Sequence, residues 1–229
     1  MRVQGDLLAA VALDASFLLL NLVTLQKNTL KLPKTPINLA FSGEEVAVLM
    51  EEMVALVNFS TLAVAFHPVP VNSCRLEAGF NCFFLAIGSN LYQFDREFTS
   101  KAAFPAAHTV NITDLKLSPS GEFLASSDTQ RLIYIWTATT LTIAMDQMVY
   151  HAGKVTQVAW APDSRYLVTG SIDKSVIVWK VGEDRRCILG DCHRLGVTAV
   201  LVSQQREGEM EVVSTGEDLT IKQWRVAGF

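Results

Sequence analysis

Three residues in one segment have the types needed for covalent hydrolysis. In HAGKVTQVAWAPDSRYLVTGSIDKSVIVWK, His151 to Lys180, the histidine could serve as general base, Ser171 as nucleophile and Asp173 as the group that orients the imidazole. That chemistry makes further demands. The serine must stand on an exposed turn with donors placed for an oxyanion. No G-x-S-x-G elbow occurs in the chain, and Ser171 falls in strand register beside a tight turn. No G-x-x-x-x-G-K-[ST] phosphate loop occurs either. The four cysteines, Cys74, Cys82, Cys187 and Cys192, form no C-x-x-C pair, and the four histidines offer no metal-ligand spacing. No catalytic group, metal or cofactor is therefore expected.

The same residue types recur down the chain. HTVNITDLKLSPSGEFLASSDTQRLIYIW runs from His108 to Trp136, the second segment from His151 to Trp179, and HRLGVTAVLVSQQREGEMEVVSTGEDLTIKQW from His193 to Trp224. The histidines lie 43 and 42 residues apart and the tryptophans 43 and 45. An apolar branched residue, Ile112, Val155 or Val197, follows each histidine by four. His193, Asp218 and Trp224 repeat the pattern of His151, Asp173 and Trp179, with Gly216 matched to Ser171. A catalytic site is rarely copied once per repeat, whereas a structural network is. His108, His151, His193, Ser171, Asp173, Asp218, Trp136, Trp179 and Trp224 are accordingly expected to be structural.

The elements that must position these residues follow from their periodicity. VTQVAW, YLVTG and SVIVW are short apolar or alternating runs, separated by the turn stretches APDSR and SIDK. A period of about 40–45 residues with four strands per unit is the signature of a β-propeller blade. The fold class is all-β, with the best-defined blades over 107–146, 150–188 and 192–229.

The amino-terminal half keeps this rhythm. LLAAVALDASFLLLNLVTL, Leu7 to Leu25, has the hydropathy of a membrane span, but Asp14 stands in its middle. Leu8 to Leu22 aligns without a gap on Leu167 to Val181, placing Asp14 on Asp173 and Leu20 on Trp179. The run is therefore expected to form two strands about a turn. Third-strand anchors continue at Leu20, Phe59, Phe94, Trp136, Trp179 and Trp224. Between Phe59 and Phe83 two readings stand. TLAVAF is an outer strand and VNSCRLE the next inner one, with His67 at the repeat-histidine position; or LAVAFHP is the inner strand and the outer one is missing.

Composition bounds the partners. The chain has 229 residues, 50% of them hydrophobic, enough for one or two domains, and a net charge of −4. That charge argues against a nucleic-acid partner held by phosphate neutralisation. Free thiols in a reducing compartment are expected, and neither a membrane nor a small-molecule substrate is indicated.

GKVTQVAWAPDSRYLVTGSIDKSVIVW resembles a WD repeat, with Trp179-Lys180 at the place of the Trp-Asp pair. The succession SPSGEFLASSDTQRLIYIW, VYHAGKVTQVAW and STGEDLTIKQWRV resembles the carboxy-terminal blades of the actin-interacting protein 1 family, including Gln130 where other repeats carry Asp. The resemblance implies a hydrogen-bonded line in which His151, Ser171, Asp173 and Trp179 each satisfy the next. It implies a protein of two seven-bladed propellers, of which this chain carries about five to six blades, the carboxy-terminal part of the second. On this reading the chain begins inside a blade, since no inner strand precedes Leu7. It further implies a cytoplasmic, non-catalytic protein of the actin cytoskeleton, with actin filaments and cofilin as partners and cofilin-dependent filament disassembly as its role. A WD scaffold in an unrelated complex is the alternative. Loop charges at Lys154, Lys174, Arg194 and Glu217 are the candidate partner contacts.

Overall fold

The computed structural model describes residues 2–99, 101–106, 108–146, 148–206 and 208–227. The chain divides into two compact units, residues 1–104 and 105–229. Among the described residues, both are built of antiparallel sheets in which successive strands pair in chain order.

The first unit has three four-stranded sheets. One is formed by β1 (Arg2–Gln4), β2 (Leu7–Val11), β3 (Ser16–Asn21) and β4 (Lys27–Lys31). The next is β5 (Pro36–Ser42), β6 (Glu45–Met50), β7 (Met53–Asn58) and β8 (Val64–Pro68). The third is β9 (Ser73–Ala78), β10 (Cys82–Ile87), β11 (Asn90–Asp95) and β12 (Lys101–Ala103). The second unit holds β13 (Ile112–Leu117), β14 (Phe123–Asp128), β15 (Ile133–Thr137) and β16 (Thr142–Met145), and then β17 (Val155–Trp160), β18 (Tyr166–Ser171), β19 (Val176–Lys180) and β20 (Arg185–Leu189). Its last sheet has three strands among the described residues, β21 (Val197–Arg206), β22 (Glu209–Gly216) and β23 (Ile221–Ala227).

Two expectations are corrected by this topology. An inner strand does precede Leu7: β1 pairs with β2 through Arg2↔Ala9 and Gln4↔Leu7. Phe59 is not the third-strand anchor of its sheet. It lies just beyond β7, and the cross-strand position that Trp179 fills opposite Leu167 is filled by Val57 opposite Val46. The reason is the tight Met50↔Met53 hairpin, one residue shorter than its counterpart: 11 residues separate Val46 from Val57, against 12 between Leu167 and Trp179. The open choice between Phe59 and Phe83 resolves toward an outer β8 on β7 and an inner β9 on β10. The apolar run at Leu7–Leu25 contains β2, the turn at Asp14 and β3.

Middle strands are buried on both faces, which is why they lack clean polar alternation. In β6, Val46, Val48 and Met50 pack with Phe17 and Leu19 of β3, while Ala47 and Leu49 pack with Leu76, Phe83 and Leu85. In β18, Leu167 packs with Ile133 and Ile135 of β15, and Val168 with Val200 and Val212 of the last sheet. Each fully buried Val, Leu, Ile, Phe or Met among them contributes roughly 1.5–3 kcal/mol.

A second, polar device joins neighbouring sheets. The third residue of a first strand stands at a β-bulge and sends its side-chain oxygen to the next sheet. Asn38 Oδ1 accepts from Leu76 N–H at 3.2 Å, Asp114 Oδ2 from Val158 N–H at 3.1 Å, and Gln157 Oε1 from Val200 N–H at 2.9 Å. The register shifts fall at Pro36/Asn38, Ile112/Asp114 and Val155/Gln157. The bulge releases the side chain from the local ladder and aims it sideways.

Candidate functional site: the loop rim of residues 105–229 and the line beneath it

Beneath the loops of the second unit, each sheet carries one chain of side-chain hydrogen bonds. In the sheet β17–β20, Trp179 Nε1–H donates to Thr169 Oγ1 at 2.9 Å, and the Thr169 hydroxyl meets His151 Nε2 at 2.8 Å. His151 Nδ1 meets Asp173 Oδ2 at 3.0 Å. With the proton on Nδ1, the indole donates to the hydroxyl, the hydroxyl to the imidazole and the imidazole to the carboxylate, so every polar group has a partner. Asp173 also accepts from Ala152 N–H at 2.6 Å, from Ser175 N–H at 2.9 Å and from the Ser175 hydroxyl at 2.6 Å.

Ser171 is thus not the linking hydroxyl. Its Oγ accepts from Asp173 N–H at 3.1 Å and caps the turn, while Thr169 takes the place expected for it. Thr169 and Ser171 share a strand face, but the Trp179 indole and the His151 ring converge one pleat deeper, opposite Ile177. The third copy follows the same rule. Gly216 matches Ser171, yet the hydroxyl there is Ser214, which receives Trp224 Nε1–H at 2.9 Å and contacts His193 Nε2 at 2.8 Å. A Cβ at Gly216 would stand 2.5 Å from His193 Nδ1, so the ring leaves no room for a side chain. His193 Nδ1 lies 3.0 Å from Asp218 Oδ1, and Asp218 Oδ2 accepts from Arg194 N–H at 2.8 Å.

The first copy departs in a way the sequence reading missed. Gln130 stands where the others have Asp173 and Asp218, and the carboxylate comes instead from Asp128, two residues earlier. Asp128 Oδ2 meets His108 Nδ1 at 2.8 Å, and Asp128 Oδ1 accepts from the N–H groups of Gln130 and Leu132 at 2.8 and 3.0 Å. Ser126 links His108 Nε2, at 2.7 Å, to Trp136 Nε1–H, at 2.8 Å. The linking hydroxyl precedes the tryptophan by ten in every copy. That spacing was the available signal. In the first unit, Asp14 Oδ1 accepts from Ser16 N–H and Oγ–H at 3.0 and 2.6 Å, as Asp173 does from Ser175, but at an exposed turn. His67 lies in β8 opposite Val54, with Nδ1 2.9 Å from the Glu97 carbonyl oxygen, and does not fill the repeat-histidine position.

The line has the bonding order of a hydrolase triad without its accessibility. Ser126, Thr169 and Ser214 are 0% exposed. Each hydroxyl oxygen also accepts an indole N–H. Among the described residues, no buried side-chain nitrogen or oxygen lacks a partner, and no group of three potential metal ligands occurs. Burial pushes the Asp173 carboxyl up, but hydrogen bonds from His151 and Ser175 outweigh it and hold the group well below the usual carboxylate range. For Asp218 the Arg194 amide and the Thr220 hydroxyl act in the same direction, with His193 adding to them.

Above the line, backbone bonds tie each histidine loop to the turn between the second and third strands. Thr129 N–H donates to the Asn111 carbonyl at 3.2 Å, Ile172 N–H to Lys154 at 3.1 Å and Glu217 N–H to Gly196 at 2.9 Å. Lys154, Lys174, Arg194 and Glu217 all lie exposed on these loops and turns. A small cavity of about 240 Å³ is lined by Asp163, Arg165, Tyr166, Gln205, Arg206 and Met210 among others. Its floor is bridged by Gln205 Nε2–H donating to Asp163 Oδ2 at 2.6 Å.

Sheets of this form, with a repeated buried Trp–Ser/Thr–His–Asp line, define a WD-repeat β-propeller protein, and the WD domain, G-beta repeat family matches residues 99–137 and 146–180. Within that class the chain resembles actin-interacting protein 1. It is 28% identical to the protein of that name from Caenorhabditis elegans over 86% of this chain and 33% of the relative. It is 32% identical to the 66 kDa stress protein of Physarum polycephalum over 98% of this chain and 38% of the relative. The chain thus spans well under half the length of these relatives. A crystal structure of the computationally designed Ika8 protein superposes with a TM-score of 0.77, covering 98% of this chain and 70% of the designed one at 16% identity. At that identity the likeness concerns the fold alone.

Proposed function

We propose that this chain is a non-catalytic, actin-binding WD protein of the cytoplasmic actin cytoskeleton that promotes cofilin-dependent disassembly of actin filaments. The observation that carries the reading is the alignment with actin-interacting protein 1 over most of the chain. The structure supports it in kind. The side chains with triad chemistry are sealed beneath the loops, while the loops themselves are held rigid and exposed, which suits binding rather than turnover. On this reading Lys154, Lys174, Arg194 and Glu217 contact the partner.

Filament pelleting tests it. The chain is expected to sediment with actin filaments and to hasten filament loss when cofilin is added. If neither occurs, and the native protein purifies with a different stable set of subunits, the scaffold reading replaces it.

A further inference from the structure

Among the described residues, five of the six sheets have four strands and the last has three. What a fourth strand does is visible in the sheet β17–β20. There Val176, Val178 and Lys180 of β19 pair with Leu189, Cys187 and Arg185 of β20. The equivalent strand of the last sheet, β23, pairs on one side only, with β22. Ladder geometry tells which of its groups face the other side. Gly216 N–H donates to the Thr220 carbonyl at 3.2 Å, so Gly216 and Thr220 form a hydrogen-bonded pair. Such pairs alternate along an antiparallel ladder. Ser214 with Lys222 and Val212 with Trp224 are the next ones, and Ile221, Gln223 and Arg225 therefore turn their N–H and C=O groups outward. Ile221 is 76% exposed. Ile133 and Val176, which precede Trp136 and Trp179 by three as Ile221 precedes Trp224, are 0% exposed.

This edge lacks the features that usually keep edges apart. β23 has seven residues, against three to five in the outer strands β4, β8, β12, β16 and β20. It holds no proline or glycine, and its pairing with β22 runs from Glu209↔Ala227 to Thr215↔Ile221 without a bulge. Its sequence, IKQWRVA, is self-complementary when run antiparallel about Gln223. Lys222 then lies opposite Trp224, and Ile221 opposite the aliphatic stem of Arg225, so no like charges face each other. The Trp224 ring already takes such a cation within one copy, with Lys222 Nζ 5.9 Å from its centroid. A register centred on Lys222 would instead oppose two lysines.

We infer that β23 pairs antiparallel with β23 of a second copy of this chain, joining the two last sheets about a twofold axis at Gln223. The outward N–H and C=O groups of Ile221, Gln223 and Arg225 then each gain a backbone partner. A row of unpaired strand groups takes an extended segment, and the segment that matches this one in length and side-chain order is β23 itself. A twofold arrangement uses one patch twice and closes, so assembly stops at a dimer. A ladder over Ile221–Arg225 falls below the roughly 1,200 Å² at which stable interfaces begin. The dimer is therefore weak, with a Kd on the order of tens of micromolar. The inference is independent of the actin reading.

Sedimentation equilibrium of the whole chain, from about 1 μM to about 1 mM, reads the dimer. Gln223→Pro removes one outward N–H and leaves the β22 ladder whole, because proline is accepted where the N–H faces away from the sheet. It should weaken dimerisation at least about tenfold. Gln223→Lys replaces it if circular dichroism shows that the proline variant fails to fold. That change sets two lysines opposite each other and should also weaken the dimer about tenfold, with part of the loss recovered in high salt. Gln223→Cys should give a disulfide-linked dimer with glutathione disulfide as oxidant, while Leu13→Cys, 88% exposed on a turn of the first unit, should not. Hydrogen exchange at the Ile221, Gln223 and Arg225 amides should slow as concentration rises. A wild type that stays monomeric at about 1 mM would overturn the inference, and so would a dimer that both Gln223 variants leave intact. A monomer in which those three amides are already slow would mean that another segment of the chain covers the edge, and overturns it equally. Filament pelleting is measured separately, so the loss of either reading leaves the other standing.

Discussion

His151, Ser171 and Asp173 draw notice because hydrolases use the same three types, and the hydrogen-bonded line uses them in nearly the same order. What separates the two is the hydroxyl. Thr169 lies one pleat deeper than Ser171, sealed and loaded with the Trp179 indole N–H. Thr169→Ala should therefore cost about 1–3 kcal/mol of stability in urea unfolding, because it strands both the indole and the imidazole. Ser171→Ala removes one turn bond and should cost about 1 kcal/mol or less. The reverse order would refute the assignment of Thr169. The carboxylates carry a pH signature. Asp173 and Asp218 are held below the ordinary value of about 3.9, so their native hydrogen bonds stabilise fully above that pH. As pH falls below it, the unfolded chain takes up protons first and stability declines toward the lower folded values. Thermal scans should show that decline below about pH 4, and Asp173→Asn should make it shallower.

At the scale of the element, the turns and bulges hold the information that hydropathy does not. Every turn between second and third strands has one residue at positive φ: Ala15, Glu52, Gly88, Arg131, Lys174 and Leu219. Only one is a glycine, and the others accept a left-handed conformation that costs roughly 1–2 kcal/mol. Arg131, at φ 75° and exposed, should tolerate Arg131→Gly with a gain of up to about 1 kcal/mol, read as a higher melting temperature. The bulge side chains make a second test. Gln157→Ala removes the acceptor for Val200 N–H and should cost about 1 kcal/mol, whereas Gln157→Glu keeps an acceptor and should cost less. Neither device was legible beforehand. Asn38, Asp114 and Gln157 are three different residue types, and only the shared register shift shows them to be one position.

For the molecule as a whole, packing between sheets is the main store of stability. Val168 belongs to β18 but packs with Val200, Val212 and Val226 of the next sheet. Stacked repeats draw stability from such nearest-neighbour faces. Val168→Ala should lower hydrogen-exchange protection in β21–β23 as well as in β17–β19, with an overall loss of roughly 1–3 kcal/mol. Protection lost in β17–β19 alone would mean that the faces are not coupled. The apolar segment at Leu7–Leu25 belongs to this scale too. Its hydropathy comes from middle strands packed between neighbours, with Ala9, Phe17 and Leu19 in one cluster with Val46 and Val57. Among the described residues no helix is long and apolar enough to cross a membrane.

The class of sheet, the period of the repeat, and the histidines, tryptophans and turn carboxylates at Asp173 and Asp218 are legible in the residues, because strand alternation and turn chemistry are local properties. It also exposed the oddity of Gln130. Which hydroxyl joins each line, that Asp128 replaces the missing carboxylate, and that His67 stands outside the pattern emerge only in three dimensions. Those depend on which pleat faces which ring and on how closely one sheet's loop approaches the next. Such distances are set by register and inter-sheet packing, and residue spacing along the chain does not contain them.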